Sequence, residues 1–442
     1  MNVCLLNDSF PPLIDGVANT VMNYARIIQE RPGNEVIVAT PRYPDVDYTG
    51  YPYRVLDYPS IDTSRLASGY RAGNSLSMKE INEIAEFGPD IIHTHCPAAS
   101  TLMARILQYE TGAPVVFTYH TKFDVDIGRA VGEGLLKKET IRIMISNISA
   151  CDEVWVVSEG AGLNLRSLGY EGEYRVMTNG VDFPCGKANP GQVADAVSGY
   201  DLPADVPVFL FVGRLMNYKG LPLIMDAMKI LGDSGMDYRM VFVGGGDDAG
   251  WLKERAEELG ISSKVIFTGP VHDREVLRAI NSRADLFLFP STYDTNGIVV
   301  REAAACGLAS VLIKGSCAAE GITHMRNGYL IDETPDAMAQ LLNEVCRDMD
   351  RVHQVGDNAM NEIYISWEDS VNRAYERYEV IRDLVADGTI RRRRMHKSDY
   401  LIKTAADVAE GLSRIISVPR NIRETITNDL YRIYEGMMSN NE

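Results

Sequence analysis

At 442 residues the chain exceeds one ordinary core, and its 45% hydrophobic and 24% charged content is that of a soluble globular protein of two domains. A formal net charge of −17 excludes nucleic acid as a general partner. The seven cysteines are scattered, form no CxxC pair and sit mostly beside apolar neighbours, so they read as buried free thiols and no metal site is expected. The chain turns polar at Asn7, too early for a signal peptide, and no apolar run approaches the ~20 residues that span a bilayer. The expected location is cytoplasmic.

In chain order, Val3 to Leu6 predicts a buried strand, followed by a loop from Asn7 to Gly16, a helix from Val17 to Gln29 and a strand from Glu35 to Ala39. Gly16 closes the loop and would let backbone approach a ligand; a plain turn explains it equally well, and no GxGxxG follows the strand. Further strands are predicted at Ile91–His93, Val115–Tyr119 and Glu153–Val157. Each ends in polar residues: His93-Thr94-His95, His120-Thr121 and Ser158-Glu159. Polar groups at successive parallel-strand ends are what a ligand cleft needs. His93 and His95, two apart at a strand end, are expected to diverge, which is poor metal geometry. His120 follows its strand directly and is the better candidate. The stretch from Lys122 to Gly134 reads as a mobile loop or interrupted helix that could offer an acceptor surface.

The first domain is expected to end near Asn179-Gly-Val-Asp-Phe-Pro184, and the Gly-, Pro-, Ala- and Asp-rich region to Pro207 suits a connector. A second strand–helix series follows, with strands at Val208–Val212, Met240–Val243, Lys264–Thr268, Leu286–Phe289 and Ser310–Ile313. The alternation implies a second doubly wound α/β domain. After its first strand comes Gly213-Arg-Leu-Met-Asn-Tyr-Lys-Gly220, where Arg214 can fork onto phosphate oxygens and Lys219 supplies a point charge. A second glycine loop, Gly244-Gly245-Gly246, is too generic to name a ligand.

The organising stretch is Pro290 to Gly307. Asp294 falls in the loop after a buried strand and Glu302 on the next helix, eight residues on. Both carboxylates lie near a helix start whose free amides favour phosphate. Carboxylates suit hydroxyl-rich sugars and amides suit phosphates, so the pattern suggests a nucleotide-sugar site. Beyond Trp367 a long helix is predicted to about Ala386. The tail carries the basic run Ile390 to Lys397 and two amphipathic stretches, Tyr400–Ile416 and Asn421–Met437. These could hold an anionic membrane surface or be a solvated charge cluster with two packing helices, and both readings stay open.

With these residues in view, the chain over roughly 1–385 resembles the retaining GT-B glycosyltransferases of family GT4 (glycosyltransferase group 1). Asp294 through Glu302 match the family's E-x7-E element, followed by A-x-A-x-G. Gly213-Arg214 with Lys219-Gly220 match its donor-diphosphate loop, and Asn179-Gly-Val-Asp182, the 244–246 loop and the Gly328 turn fall in order. Thr118-Tyr-His-Thr121 and Asp15-Gly16-Val17 look like the bacterial diacylglycerol/glycolipid glucosyltransferase branch. Asp294 departs from the usual Glu, and Asn296 stands where an aromatic is common.

The resemblance implies a GT-B fold: two doubly wound Rossmann-like domains facing across a cleft, with a helical C-terminal tail. It places an acceptor domain at 1–185, completed by a crossing helix at 366–386, a donor domain at 186–365 and a basic tail at 387–442. Arg214 and Lys219 would neutralise the donor diphosphate, Asp294 would contact the sugar hydroxyls, Glu302 would hold the ribose, and His120 would sit near the sugar. Gly16, Gly213, Gly245 and the amides of Asn296, Gly297 and Ile298 would line the phosphates. The implied chemistry is metal-independent transfer with retention from a nucleotide sugar, UDP-glucose first, without a cofactor. The favoured acceptor is a membrane lipid such as diacylglycerol or a glycosyl-diacylglycerol, which would place the protein at the inner face of the cell membrane. The alternatives are a polysaccharide or small-molecule acceptor, or a catalytically silent binding module. Nothing in the sequence sets the oligomeric state.

Overall fold

A computed structural model describes residues 1–13, 15–63, 70–124, 127–128 and 134–390. Two compact units divide it. The first takes Met1–Val156, Asn164–Arg175 and the chain from Val371; the second takes Val157–Leu163 and Val176–Ser370. The division falls at 175/176 and 370/371.

The first unit is built on a seven-stranded sheet. Its strands are β1 (Asn2–Leu6), β2 (Glu35–Pro41), β3 (Arg54–Tyr58), β6 (Ile91–Thr94), β7 (Val115–Tyr119), β8 (Glu153–Val156) and β9 (Arg175–Val176), in the order β3-β2-β1-β6-β7-β8-β9. A short antiparallel pair, β4 (Ser60–Asp62) and β5 (Arg71–Gly73), stands beside it. Val3 to Leu6 are fully buried, as a parallel strand covered on both faces requires. The helices are α1 (Gly16–Gln29), α2 (Met78–Phe87), α3 (Ala99–Thr111) and α4 (Leu135–Ser149), together with the part of α5 (Glu159–Ser167) from Asn164 on. Asp15 starts α1 as its N-cap, its carboxylate accepting from the Val17 and Ala18 amides at 2.9 and 2.7 Å.

The second unit opens with α6 (Pro190–Val197), inside the region expected to be a plain connector. Asn189 and Gln192 form a reciprocal capping box there with proline at the helix start, a local signal that overrides the Gly/Pro composition. Its sheet comprises β10 (Val208–Val212), β11 (Arg239–Val243), β12 (Val265–Gly269), β13 (Leu286–Phe289), β14 (Ala309–Ile313) and β15 (Tyr329–Ile331). The order is β12-β11-β10-β13-β14-β15, with every pair parallel. Helices α7 (Leu221–Asp233), α8 (Ala249–Glu258), α9 (Arg274–Arg283), α10 (Ile298–Ala305), α11 (Pro335–Val345) and α12 (Met349–Glu362) complete the layers.

The last described helix, α13 (Trp367–Ala386), starts on a Ser366 hydroxyl that accepts from the Asp369 amide at 3.0 Å. From Val371 it belongs to the first unit, where Tyr378 stacks on Trp155 at 5.4 Å and Arg377 bonds the Glu153 carboxylate. Among the described residues no helix is long and apolar enough to cross a membrane. From residue 391 the expected basic run and amphipathic stretches lie outside the described residues, as does part of the 122–134 segment.

Candidate active site

In an open parallel sheet, neighbouring strands whose connections run to opposite sides leave a crevice between their carboxyl ends. In the second unit that switch point lies between β10 and β13. The loops leaving these two strands carry Gly213, Arg214 and Lys219 on one side and Asp294, Asn296 and Gly297 on the other.

The loop after β10 ends in a single 3₁₀ turn, Asn217–Lys219, closed by Gly220. It brings the Lys219 ammonium to 2.8 and 3.1 Å from the two carboxylate oxygens of Asp294, in the loop after β13. Lys219 is only 9% exposed and lies 5.6 Å from the Phe289 ring centre, so Asp294 is its charge partner in a largely dry setting. The Ser291 hydroxyl donates to Asp294 at 2.5 Å and fixes the rotamer of the acid. Tyr218 and Tyr293 meet edge-on at 4.8 Å and tie the loops together. Ser291 escaped the sequence reading, although a serine three residues before the acid was its available signal.

Arg214 lies on the same loop, exposed, with no ion pair among the described residues. The two expected cations therefore differ: Lys219 is already engaged by Asp294, and Arg214 faces solvent. Gly213 and Gly245 sit in two loops that brace each other, Leu215 N–H donating to the Gly245 carbonyl at 2.9 Å and Asp248 N–H to the Leu215 carbonyl at 3.1 Å. Steric demand falls on Gly244, which has φ +141 and whose added Cβ would lie 1.9 Å from the Gly213 carbonyl oxygen. Gly245 is open, its nearest neighbour being Pro270 at 3.8 Å. Gly244→Ala is expected to cost about 1–3 kcal/mol, several degrees in Tm, and Gly245→Ala less than about 0.5 kcal/mol. Calorimetry on both variants checks this.

Gly297 adopts φ +58, ψ 47 and begins α10 without a side-chain cap, leaving the first-turn amides around Ile298 without a side-chain acceptor. A Cβ on Gly297 would press to 3.1 Å on Ala318. Asn296 is buried; Arg301 donates to its carbonyl and to its Oδ1, and its Nδ2 has no partner. Burial lowers the Arg301 pKa to about 10, which leaves it charged, with Glu320 nearby opposing the shift. Glu302 is 7% exposed, and Arg274 at the start of α9 donates to it. Arg274 also lies 4.4 Å over the Phe183 ring and 3.8 Å from Asp182. Burial raises the Glu302 pKa, and Arg274 only partly opposes it. Arg274 was missed in the sequence because it is 28 residues from its partner.

Gly16 and His120 belong to the first unit. A Cβ on Gly16 would meet nothing within 4 Å, so the fold does not require glycine there, and the Asp15 carboxylate already takes the Val17 and Ala18 amides at that helix start. His120 follows β7, buried, with Nε2 2.9 Å from Nδ1 of His95. The expected divergence of His93 and His95 is corrected: their ring centres are 3.9 Å apart. Residues two apart on a strand point to the same face. Burial drives all three imidazoles down, His120 to about 3, so they are neutral at pH 7. No cluster of metal-binding side chains occurs among the described residues.

Family profiles account for both halves of the chain: "Glycosyltransferase Family 4" matches residues 14–183 and "Glycosyl transferases group 1" matches residues 197–362. The sulfoquinovosyl transferase SQD2 of Arabidopsis thaliana is 29% identical over 67% of this chain, which spans just over half, 56%, of that protein. Alpha-monoglucosyldiacylglycerol synthase of Streptococcus pneumoniae is 24% identical over 70% of each. The Anabaena Alr3699/HepE crystal structure with UDP superposes with a TM-score of 0.69 at 19% identity, covering 86% of this chain and all of that one. The same neighbour has been crystallised with UDP-glucose. The fold and these matches define a GT-B glycosyltransferase that uses a nucleotide-sugar donor. The chain belongs to the group 1, family 4 glycosyltransferases.

Proposed function

We propose that this enzyme transfers a hexose from a UDP-sugar, UDP-glucose first, to a membrane-lipid acceptor of the diacylglycerol or glycosyl-diacylglycerol kind, with retention and without a metal. The observation that carries the donor part is the Lys219–Asp294–Ser291 constellation at the strand switch point, beside the uncapped start of α10. A diphosphate placed there adds negative charge beside Lys219 and competes with Asp294 for the ammonium. Freed from Lys219, the Asp294 carboxylate can accept hydrogen bonds from sugar hydroxyls. Arg214 and the first-turn amides add donors aimed at charge developing on the leaving diphosphate. The bond from the anomeric carbon to the β-phosphate oxygen breaks as the acceptor oxygen bonds to the same face. The acceptor's proton passes to the departing phosphate oxygen, so no protein nucleophile is used. The lipid acceptor is supported by the glycolipid relative and by the basic tail sequence.

The test is a donor panel of UDP-, GDP- and ADP-sugars with EDTA present, read as released nucleotide with and without diacylglycerol vesicles. Product anomer is then read by NMR. Release from a UDP-hexose that rises with the vesicles supports the reading. Release that needs a divalent cation, or that rises only with a soluble glycan, overturns the corresponding part.

A further inference from the structure

Burying Glu302 works against its use as a carboxylate. Its side chain is 10% exposed, and burial and the neighbouring Asp182 both push the acid toward its neutral form. A neutral carboxyl suits a ribose poorly, because its own proton is a donor where two vicinal hydroxyls need acceptors. One guanidinium answers both acids. Arg274 donates to Glu302 Oε1 and lies 3.8 Å from Asp182 Oδ2. Its backbone is pinned at the first position of α9, where the Asp273 carboxylate accepts from the Glu275 and Val276 amides at 2.9 and 3.2 Å. The guanidinium lies 4.4 Å over the Phe183 ring, so its approach to Glu302 is set before any ligand arrives. Glu302 Oε2 has no hydrogen-bond partner among the described residues. The Arg274 side chain is 43% exposed, and a pair with so wet a member adds little to stability. The fold gains little from the pair, whereas the site gains a carboxylate.

We propose that Arg274 is a positioning residue for Glu302: it keeps the buried acid charged and holds Oε1, so that Oε2 is left for the vicinal hydroxyls of the donor's ribose. In its consequence for binding this rests on the reading that Glu302 meets the ribose of a nucleotide sugar; the charge state follows from the contacts alone. The groups that act on the acid are Arg274 and Asp182. Cys306, one turn on, is a thiol that burial pushes up to about 12, so it stays neutral. The sign is fixed. Without the guanidinium the acid takes up its proton at a higher pH, and ribose binding is lost as pH falls through that higher value.

The experiment follows the Glu302 carboxyl by ¹³C NMR in the ligand-free full chain, with labelled glutamate and Glu302→Gln for assignment. Arg274→Met removes the charge and keeps an apolar stem over Phe183, and Arg274→Gln takes its place should the methionine variant not fold. Arg274→Lys keeps the charge. In the neutral variants the carboxyl midpoint should rise by about one to two pH units over the native chain, and lysine should return most of that shift. Titration with UDP and 2′-deoxy-UDP across the same pH range then reads the site. As pH falls through the raised midpoint, the neutral variants should lose UDP affinity about tenfold while the native chain, still charged, does not. The deoxy nucleotide, with one hydroxyl fewer, should lose less. An unmoved carboxyl midpoint overturns the proposal, and a lower Tm with both pH profiles unchanged would leave Arg274 a structural partner only. Equal losses for the two nucleotides overturn the ribose part. A native chain that binds neither nucleotide removes the donor reading, and the carboxyl midpoint still decides what Arg274 does to Glu302.

Discussion

Lys219→Met is expected to lower kcat/KM for the nucleotide sugar about 10²- to 10³-fold, the loss seen when one preorganised donor is removed from developing oxyanion charge. Methionine keeps the length and apolar stem of lysine, so contact with Phe289 survives and only the charge is lost. Asp294 keeps the Ser291 hydroxyl and a side chain 25% exposed, so water reaches the stranded carboxylate and the fold should lose only about 1 kcal/mol. Asp294→Asn is expected to abolish transfer while the chain stays folded. It strands the more deeply buried member of the pair, whose side chain is 11% exposed, and should cost about 1–3 kcal/mol. In the double variant the stability losses should fail to add by about 1 kcal/mol, the signature of a direct pair. Steady-state kinetics and urea unfolding on the four proteins measure all of this. Lys219→Met activity within threefold of the parent would remove Lys219 from the chemistry and leave it a structural partner of Asp294.

Arg214 makes the natural contrast, because it is exposed and bonds nothing that the fold needs. Arg214→Ala should weaken donor affinity about tenfold, the order of one charge-assisted hydrogen bond, and leave Tm unchanged. Isothermal titration with UDP and a thermal melt suffice to check it. A fall in Tm with unchanged affinity would show a structural role.

The core strands were legible because parallel strands buried on both faces are continuous apolar runs: Val115–Tyr119, Val208–Val212 and Leu286–Phe289 fall where periodicity puts them. The β4–β5 pair was not, since Ser60-Ile-Asp62 and Arg71-Ala-Gly73 are short, polar and half exposed. Lys219 and Asp294 could each be picked from a strand-end loop. That they touch could not be read, because 75 residues separate them and only the order β10-β13 makes their loops neighbours. Arg274 has the same cause. It follows β12, at the edge of the sheet, and reaches Glu302 by the length of its side chain. The histidines show a different limit: alternation along a strand has period two, so His93 and His95 share a face and meet where divergence was expected.

Glu302→Gln is expected to separate function from stability in opposite directions. The amide keeps the shape of the acid and can still meet a hydroxyl, but it loses the charge-assisted hydrogen bonds of the carboxylate. UDP affinity should therefore fall about 10- to 100-fold. Stability should move the other way at neutral pH. Burial raises the Glu302 pKa above its ordinary value of 4.5, so folding disfavours the charged form. Below the unfolded pKa the carboxyl is protonated in both states and the penalty is absent. It grows as pH rises through the window between the unfolded and the raised folded value, and is full above it. Removing the charge should thus raise Tm at pH 7 and have no effect well below pH 4.5. Arg274, left without its carboxylate, is 43% exposed at the side chain, hydrates, and retains the Phe183 ring, so it opposes the gain only in part. Titration with UDP and melts across the pH range test both halves. A variant destabilised at pH 7 with unchanged UDP affinity would make Glu302 the anchor of Arg274. A stabilised variant that binds UDP poorly would mark a carboxylate kept charged and buried, at a cost to the fold, for the sake of its ligand.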